Sequence, residues 1–410
     1  MAKILFVAHR IPYPPNKGDK IRSWNFLKHL CEHHEVHAGF FIDEPEDQEH
    51  LTFLETHCAS VHSAFASPLT QKCASLRGFA VGRSLTEMAY PSKTLRSKLQ
   101  EVLEQGVDLI FLFSAASRSF LPKQVSVPII TDFVDVDSAK WDAYAAQKSD
   151  IMGAVYAREG RMLRHFEQEL AKESAASVFV SADEADLFKQ RLGTVSEMLS
   201  VSGIANGVAT EIFDPGNYAN TISNGRRILF TGAMDYAPNV DAVEWFARNI
   251  FPIVRNSLQD AEFFVAGRPV APAIRALSTI DGVTIVGGVQ DMAAEIAKSD
   301  VVVAPLRTAR GIQNKVLEGM AMAKPVVCTS AANEGINAPD GDAIVVADQA
   351  DSFADAVVQL LNNPSTASGV GNNARLFVQQ HNSWDAAFGQ LDQVIERVFT
   401  RSRGQNSDAT

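Results

Sequence analysis

Short apolar runs alternate with longer segments of mixed polarity along the whole chain. The runs are apolar on both faces, which is typical of strands buried between two layers of helices. In sequence order they are KILFVAH, EVHAGFFI, DLIFLF, PIITDFV, ASVFVSA, RILFTG, EFFVAG, VTIVGG, VVVAPL, PVVCTS and AIVV. Strands that alternate with helices across short links predict an α/β fold with two doubly wound, Rossmann-like parallel sheets.

The alternation breaks between residues 206 and 225. This stretch is rich in Asn, Gly and Pro and lacks periodicity, so it predicts a linker. We therefore expect a first domain over residues 1–205 and a second over residues 226–382. The amphipathic segment SWDAAFGQLDQVIERVF predicts a helix over residues 383–400, and the polar end of the chain predicts a disordered tail over residues 401–410.

The composition is that of a globular protein with two domains. The chain has 410 residues, of which 46% are hydrophobic and 21% charged. A net charge of −11 argues against nucleic acid as a partner. No stretch reaches the roughly 20 apolar residues of a membrane span, and MAKILFVAHR is typical of a first strand, not of a signal peptide. We expect a cytoplasmic protein.

The cysteines lack the spacing of a metal site. The four are scattered, which favours a reducing compartment: Cys31, Cys58, Cys73 and Cys328. Three histidines follow the first of them closely, at His33, His34 and His37. Because they form no tight ligand pattern, we interpret them as the polar end of a helix before a strand.

The segment RGIQNKVLEGMAMAKPVV, residues 310–327, predicts a glycine-bearing loop that opens a short helix. Unpaired N–H groups and the dipole at a helix start favour an anion, and Lys315 adds a positive charge there. Glu318 lies one turn after Asn314, where its carboxylate can accept hydrogen bonds from a ribose diol. Phosphate and ribose together indicate a nucleotide ligand. The alternative is an ordinary amphipathic helix with solvated charges.

GIQNKVLEGMAMAKPVV resembles the donor-site signature of glycosyltransferase family 4, retaining enzymes with the GT-B fold. The longer run VVVAPLRTARGIQNKVLEGMAMAKPVV, with ILFTGAMDYAPNVDAVEWF upstream of it, is similar to a bacterial sugar-transferase subgroup found in exopolysaccharide clusters linked to exosortase systems. The similarity extends from HRIPYPPNKGDKIRSWN near the start to Ser383 and Trp384.

The resemblance implies two Rossmann-like domains that face a cleft, with the terminal helix crossing back to the first domain. The first domain would bind the acceptor and the second the nucleotide-sugar donor. A sugar would pass from a nucleoside diphosphate to a glycan or lipid-linked acceptor with no cofactor and no metal. The donor-binding residues would be Gly232, Arg268, Val289, Arg307, Gly311, Asn314, Lys315 and Glu318.

Three arginines are the candidates for contacts to the diphosphate. Arg268, Arg307 and Arg310 each follow a predicted strand of the second domain, and a guanidinium group matches phosphate oxygens in pairs. The alternative for each is an ordinary surface arginine, but three basic loop ends that face one cleft favour contacts to the diphosphate. The position of Val289 resembles the one whose backbone holds the nucleotide base, although apolar packing explains its side chain as well.

The loop after the first strand begins at His9 and contains several prolines. Loops at the carboxyl ends of strands bind ligands in open α/β sheets. The resemblance implies a glycine loop between donor sugar and acceptor, with Gly18, Asp19, Lys20 and Arg22 matching the subgroup. The alternative is a rigid turn with a solvated basic helix start.

In the segment DFVDVDS, residues 132–138, Asp135 and Asp137 resemble the DxD metal clamp of the other large glycosyltransferase fold. Because two-sheet transferases stabilise the diphosphate with helix dipoles and basic groups, we do not interpret Asp135 and Asp137 as metal ligands. Asp135 stands where many family members carry a histidine near the acceptor, a place for binding or deprotonating its hydroxyl. The alternative is a helix cap before Ser138. We expect the catalytic residues to be Asp135, Arg310 and Lys315.

Two departures from the family pattern concern the donor. Arg310 stands eight positions before Glu318, where many members carry the first of two glutamates. After the strand RILFT the chain reads GAMDY, where many members carry a basic pair. Neutralisation of the phosphates would then rest on Lys315 and the arginines.

Two other functions stay open. A nucleotide-sugar epimerase on the same fold would need acid and base groups around the sugar. His9 and Asp135 are few candidates for these roles. A two-lobed sugar-binding protein of the periplasmic type would need a signal peptide. Residues 71–85, QKCASLRGFAVGRSL, mix basic and apolar side chains and predict peripheral contact with the inner face of the membrane; the alternative is a connecting helix packed on the first sheet.

Overall fold

The computed structural model describes residues 1–15, 18–65, 68–90, 92–146, 150–219, 221, 225–268, 270–309 and 312–407. The chain divides into two compact units by its internal contacts. Unit 1 comprises Met1–Ile204 and Phe388–Thr410, and unit 2 comprises Ala205–Ala387.

Unit 1 contains a seven-stranded parallel sheet in the order β3-β2-β1-β4-β5-β6-β7. Its central strands are apolar on both faces and buried, as the sequence pattern predicts. The strands are β1 Lys3–Ala8, β2 Glu35–Ile42, β3 Ser60–Phe65, β4 Leu109–Phe113, β5 Ile129–Val134, β6 Ala176–Phe179 and β7 Val201–Gly203.

Three helices of unit 1, α5, α7 and α8, begin at polar caps. Ser92, Asp150 and Ser181 each accept a hydrogen bond from a first-turn N–H group, which satisfies part of the helix start. The helices are α1 Gly18–His33, α2 Leu51–Glu55, α3 Pro68–Val81, α4 Leu85–Met88, α5 Lys93–Glu104, α6 Asp137–Ala146, α7 Ile151–Glu173 and α8 Ala182–Leu192.

Unit 2 contains a six-stranded parallel sheet in the order β10-β9-β8-β11-β12-β13. Its strands are β8 Arg227–Thr231, β9 Glu262–Ala266, β10 Val283–Gly287, β11 Val301–Ala304, β12 Val326–Cys328 and β13 Val345–Val346. Its helices are α9 Ala237–Trp245, α10 Phe251–Ser257, α11 Pro272–Ala276, α12 Met292–Ala297, α13 Asn314–Ala321, α14 Ser330–Asn333, α15 Ala350–Asn362 and α16 Pro364–His381.

The last helix, α17, runs over Trp384–Ser407. From Phe388 onward it belongs to unit 1, where Phe388 stacks on His29 of α1 with ring centroids 4.3 Å apart. The disordered tail that we expected from residue 401 is wrong as far as Ser407, since the helix continues to that residue. A formed helix gains one hydrogen bond for each residue added, so a polar end can extend it. Residues 408–410 lie outside the described part of the chain.

The prediction of two parallel sheets flanked by helices is confirmed. All the predicted strands are present, and two further strands, β3 and β7, stand at the two edges of the sheet of unit 1. The stretch expected to be a linker, residues 206–225, lies within unit 2. There Val208 pairs with Ser383, and Arg375 donates to the carbonyl oxygen of Phe213 at 2.9 Å.

Candidate functional site

The carboxyl ends of three neighbouring strands meet in unit 2 through glycine backbone. The N–H of Gly232, after β8, donates to the carbonyl of Ala266 at 3.0 Å, and the N–H of Gly267, after β9, donates to that of Gly287 at 2.7 Å. A Cβ atom on Gly267 would lie 1.7 Å from the carbonyl oxygen of Gly232, and both glycines have positive φ. Any other residue at Gly267 would push these strand ends apart.

Helix α13 is held close to the same edge of the sheet by a glycine on its inner face. A Cβ atom on Gly319 would lie 3.1 Å from Val302 and 3.2 Å from Val326, so the helix lies almost on β11 and β12. Val316, Leu317 and Met320 are buried beneath it. This packing leaves the polar residues of the helix on its outer side. They are Asn314, Lys315 and Glu318.

A cavity of about 410 Å³ lies between α13 and the end of β8. Four of its lining residues were predicted as donor contacts, namely Gly232, Asn314, Lys315 and Glu318. The full lining is Thr231, Gly232, Ala233, Asn239, Met292, Ile312, Asn314, Lys315 and Glu318.

The two charged groups of the cavity are both poorly solvated. Burial lowers the pKa of Lys315 to about 8, and the nearby charge of Glu318 offsets only part of that effect. Burial raises the pKa of Glu318 to about 7, again with partial compensation from Lys315. The Nζ atom of Lys315 lies 3.3 Å from Oε1 of Gln313. Both groups therefore change charge near neutral pH, which is common at functional sites.

Several polar atoms of the cavity have no protein partner within the described part of the chain. The side-chain carboxylate of Glu318 forms no hydrogen bond or ion pair there. Neither the Oγ1 atom of Thr231 nor the Oδ1 atom of Asn239 has a hydrogen-bond partner, although both atoms are buried. The amide nitrogen of Asn239 donates to the carbonyl of Ala233 at 2.8 Å. Unpartnered buried polar groups are costly, so this edge is suited to a polar ligand.

Three other predicted donor contacts, Arg268, Arg307 and Val289, are not among the residues that line this cavity. Arg268 is exposed and its side chain lies over Gly288. Arg307 pairs with Asp241, whose Oδ2 atom lies 3.0 Å from its Nε. Val289 packs on the core of unit 2. Arg310 and Gly311 lie outside the described residues.

The predicted acceptor loop of unit 1 carries a network of charges centred on Asp19. Its Oδ2 atom lies 3.5 Å from Nε2 of His9 and 3.1 Å from Arg10, which also contacts Asp43 at 2.7 Å. Burial opposes ionisation, but the hydrogen bond from His9 and the charge of Arg10 hold the pKa of Asp19 well below its usual range. His9 also stacks on Phe113, and its Nδ1 atom has no partner among the described residues.

Lys20 and Arg22 are buried inside unit 1, contrary to a role in contacting the acceptor. Lys20 contacts Asp47 at 2.6 Å, and Arg22 contacts Asp132 at 2.7 Å and the carbonyl oxygen of Ile204 at 2.8 Å. Both basic side chains have no exposed surface. Arg22 therefore connects the start of α1 to β5, Lys20 connects it to the turn after β2, and neither side chain offers a surface to a ligand. Gly18 begins the helix, with open space around its Cα.

The carboxylates of Asp135 and Asp137 both contact the partly exposed ammonium group of Lys140. Lys140, on the first turn of α6, lies 2.6 Å from Oδ2 of Asp135 and 3.1 Å from Oδ1 of Asp137. Burial works against the charge, but the two carboxylates raise the pKa of Lys140 above its usual value. The alternative role of a cap falls to Glu167, which accepts hydrogen bonds from the N–H and hydroxyl groups of Ser138.

A second cavity, of about 530 Å³, lies in unit 1. It is lined by basic and acidic residues, among them Arg83, Glu87, Arg118 and Glu173. Arg83 pairs with Glu87, and Arg118 pairs with Glu173. Tyr90, also in its lining, contacts the ring of His9 edge to face at 5.9 Å.

The comparisons with known proteins agree with this fold and with the position of the cavity in unit 2. The chain has the two-sheet architecture of GT-B glycosyltransferases, and the family described as "Glycosyl transferases group 1" matches residues 225–363. That range contains the cavity and α13. The findings support a glycosyltransferase.

The similar proteins are distant in sequence but match along their whole length. An uncharacterized 44.6 kDa protein in the cps region of Klebsiella pneumoniae is 22% identical over 405 residues, covering 95% of this chain and 99% of that protein. Sucrose-phosphate synthase from Thermosynechococcus elongatus is 16% identical with a TM-score of 0.66, covering 97% and 99%. HepE of Anabaena in complex with UDP-glucose is 14% identical with a TM-score of 0.61, covering 97% and 100%. The two structures establish likeness of fold.

Among the helices that the structure describes, each is too short or too polar to cross a membrane.

Proposed function

We propose that the protein is a retaining family 4 glycosyltransferase that moves a sugar from a nucleoside diphosphate to a glycan or lipid-linked acceptor in exopolysaccharide assembly. The observation that carries this proposal is the cavity of unit 2, in which Lys315 and Glu318 are poorly solvated and Glu318 has no partner among the described residues. The cps-region relative supports the exopolysaccharide role.

The cavity suits a nucleoside diphosphate in two ways. The ammonium group of Lys315 and the start of α13 attract the diphosphate. The carboxylate of Glu318 accepts hydrogen bonds from the two ribose hydroxyls. The UDP-glucose complex of the Anabaena structure supports a uridine nucleotide as the first choice. The proposal includes five further donor contacts, which are Arg268, Val289, Arg307, Arg310 and Gly311.

The reaction breaks the bond between the anomeric carbon and the diphosphate and forms a bond from that carbon to the acceptor oxygen. The hydroxyl attacks the face from which the diphosphate leaves, and its proton passes to the leaving phosphate oxygen. Lys315 stabilises the negative charge that develops on the diphosphate. Asp135 binds the acceptor hydroxyl after exchanging its contact with Lys140.

The reaction needs no divalent metal in this proposal. Positive charge comes from basic side chains and a helix start, and the carboxylates of Asp135 and Asp137 share the ammonium group of Lys140. Transfer is expected to survive complete chelation. If EDTA abolishes turnover and magnesium or manganese restores it, the two carboxylates regain the role of metal ligands.

The experiment that tests the function is incubation of the full chain with a panel of nucleotide sugars, with and without glycan and lipid-linked acceptors. Transfer to an acceptor, or slow hydrolysis without one, supports the transferase. Conversion of the sugar to its epimer supports the epimerase. Binding without any turnover across the panel supports the sugar-binding protein.

We also propose a cytoplasmic location with peripheral contact to the inner membrane face. Helix α3 exposes Leu76, Phe79 and Val81, with 62%, 43% and 57% of their surfaces accessible. Arg158 of α7 holds this helix by donating to the carbonyl of Gly78 at 2.9 Å. Apolar and basic side chains together suit an anionic lipid surface.

Co-sedimentation with anionic vesicles at low salt tests this contact. Binding that is lost when Arg77 and Arg83 are neutralised supports it. Absence of binding, or binding that the two substitutions leave unchanged, contradicts it.

A further inference from the structure

The exposed end of α1 brings together three side chains with the chemistry of metal ligands. His29, Glu32 and His33 are spaced i, i+3 and i+4, which places them on one face of the helix. One potential ligand atom from each lies within 4.8 Å of the others. We propose that these three residues bind one divalent transition-metal ion, such as Zn²⁺ or Ni²⁺, for which imidazole nitrogen and carboxylate oxygen are suitable ligands.

The existing arrangement is close to the geometry that an ion needs. Metal–nitrogen distances near 2.1 Å place two tetrahedral ligands about 3.3 Å apart. The rings of His29 and His33 have centroids 4.8 Å apart and meet at 66°. Glu32 and His33 are exposed, so small rotations of these two side chains can close the remaining distance at little cost.

The third residue, His29, is already fixed in place by α17. Its Nε2 atom lies 2.9 Å from Oδ1 of Asp392, and its ring stacks on Phe388 at an interplanar angle of 5°. Metal-bound histidines commonly use one ring nitrogen for the ion and the other for a carboxylate, which orients the ring. Asp392 is therefore the positioning residue of the site, and ion binding connects α1 to α17 within unit 1.

The neighbouring residues that first drew attention in the sequence are directed elsewhere. The sulfur atom of Cys31 lies 3.7 Å from that of Cys58, and Nδ1 of His37 lies 2.8 Å from the hydroxyl of Ser60. His34 accepts a hydrogen bond from the N–H of Ala2 at 3.4 Å. The H-x-x-E-H spacing of HLCEH also occurs in one class of zinc hydrolases, where both histidines bind the ion. We assign ion binding alone to it here.

Titration of the EDTA-stripped full chain, prepared without a polyhistidine tag, tests the site. Calorimetry with Zn²⁺ and with Ni²⁺ is expected to give one ion per chain. His33→Ala is expected to weaken that binding about ten-fold or more. His381→Ala, which removes an exposed histidine from unit 2, is the matched control and is expected to leave it unchanged.

Two further measurements keep the outcome decisive. Zn²⁺ is expected to raise the unfolding temperature of the wild type and of His381→Ala, and to do so much less for Glu32→Gln. Co²⁺ is expected to give a visible absorption band that His33→Ala loses. Absence of stoichiometric binding, or equal binding by the wild type and the folded His33→Ala and Glu32→Gln variants, would overturn the proposal and leave an ordinary solvated helix face.

Discussion

Unit 1 and unit 2 share an architecture of parallel strands and covering helices, but the charged pairs at the start of α1 and α6 in unit 1 differ from the polar groups in the cavity of unit 2. In unit 1, Arg22 pairs with Asp132, Lys20 pairs with Asp47, and Lys140 holds two carboxylates. In the cavity of unit 2, Glu318 and buried atoms of Thr231 and Asn239 have no partner in the described part of the chain.

We infer from this difference that the paired charges of unit 1 contribute to folding and that the unpaired groups of unit 2 bind a ligand. A buried charge without a partner lowers stability, and a fold keeps it only where something else compensates. In unit 1, the partner of each buried charge lies within the fold itself and offsets part of the cost of burial. The unpaired groups of unit 2 gain partners when a ligand with phosphates and hydroxyls binds. We therefore expect them to contribute to the affinity for that ligand.

The largest effect is expected from breaking a pair in unit 1. Arg22→Met leaves the fully buried carboxylate of Asp132 without its cation, and the loss of such a partner lowers the free energy of unfolding by about 3–5 kcal/mol. Chemical denaturation measures this loss. The double variant Arg22→Met, Asp132→Leu is expected to recover much of it, and an unchanged stability of the single variant would contradict a folding role for the pair.

A smaller effect of opposite sign is expected in unit 2. Burial raises the pKa of Glu318 from 4.5 to about 7, so stability is fully present below the lower value and is lost as the pH rises to the higher one. Glu318→Gln cannot ionise and is expected to be more stable than the wild type by about 3 kcal/mol at about pH 8. At about pH 4.5 the difference should nearly vanish. If the wild type and Glu318→Gln were equally stable at both pH values, burial would not destabilise the charged carboxylate of Glu318.

Affinity for UDP is expected to follow the two titrating groups of the cavity. Binding should weaken below about pH 7, where Glu318 takes up a proton, and above about pH 8, where Lys315 loses one. Each limb is limited to about a ten-fold change per pH unit, or 1.4 kcal/mol. Calorimetry across the range measures it, and Glu318→Gln is expected to lose its share of the acid limb. An affinity for UDP that does not change with pH would contradict a role for Lys315 and Glu318 in binding.

The smallest effect is expected at the surface of unit 1. Lys140 is about two-fifths exposed and its carboxylate partners are about one-third exposed. Pairs of this kind contribute less than about 1 kcal/mol and are screened by salt. Lys140→Ala should therefore change the free energy of unfolding little, and less still at high salt. A loss as large as that of Arg22→Met would place this loop among the elements that hold the fold.

The sequence predicts the buried centre of each sheet better than its edges. β1 and β4 are apolar along their length and were readily found. β3 has the mixed sequence SVHSAF and is half-buried, and β7 has only three residues. Edge strands bury one side of their surface, so their apolar signal is weaker than that of central strands.

The sequence predicts the residues of the candidate site that lie close together in one motif. It does not predict those that only the fold brings to the site. Asn314, Lys315 and Glu318 lie within one short helix, where their spacing places them on one side. Asn239 comes from a different helix, α9, and shows no motif. Likewise, the partner of Arg22 is 110 residues away, so no local pattern distinguishes a buried arginine from one that binds a ligand.

The most direct test of a nucleotide site in unit 2 is the calorimetric titration of UDP into the wild type and into Glu318→Ala at about pH 7.5. We expect one site in the wild type and a loss of about 1–3 kcal/mol of binding free energy in the variant, the scale of a hydrogen bond to a charged group. Asp342→Ala, an exposed carboxylate of the same unit, is the matched control and should bind as the wild type does. Unchanged affinity in a folded Glu318→Ala variant would contradict a nucleotide site in this cavity.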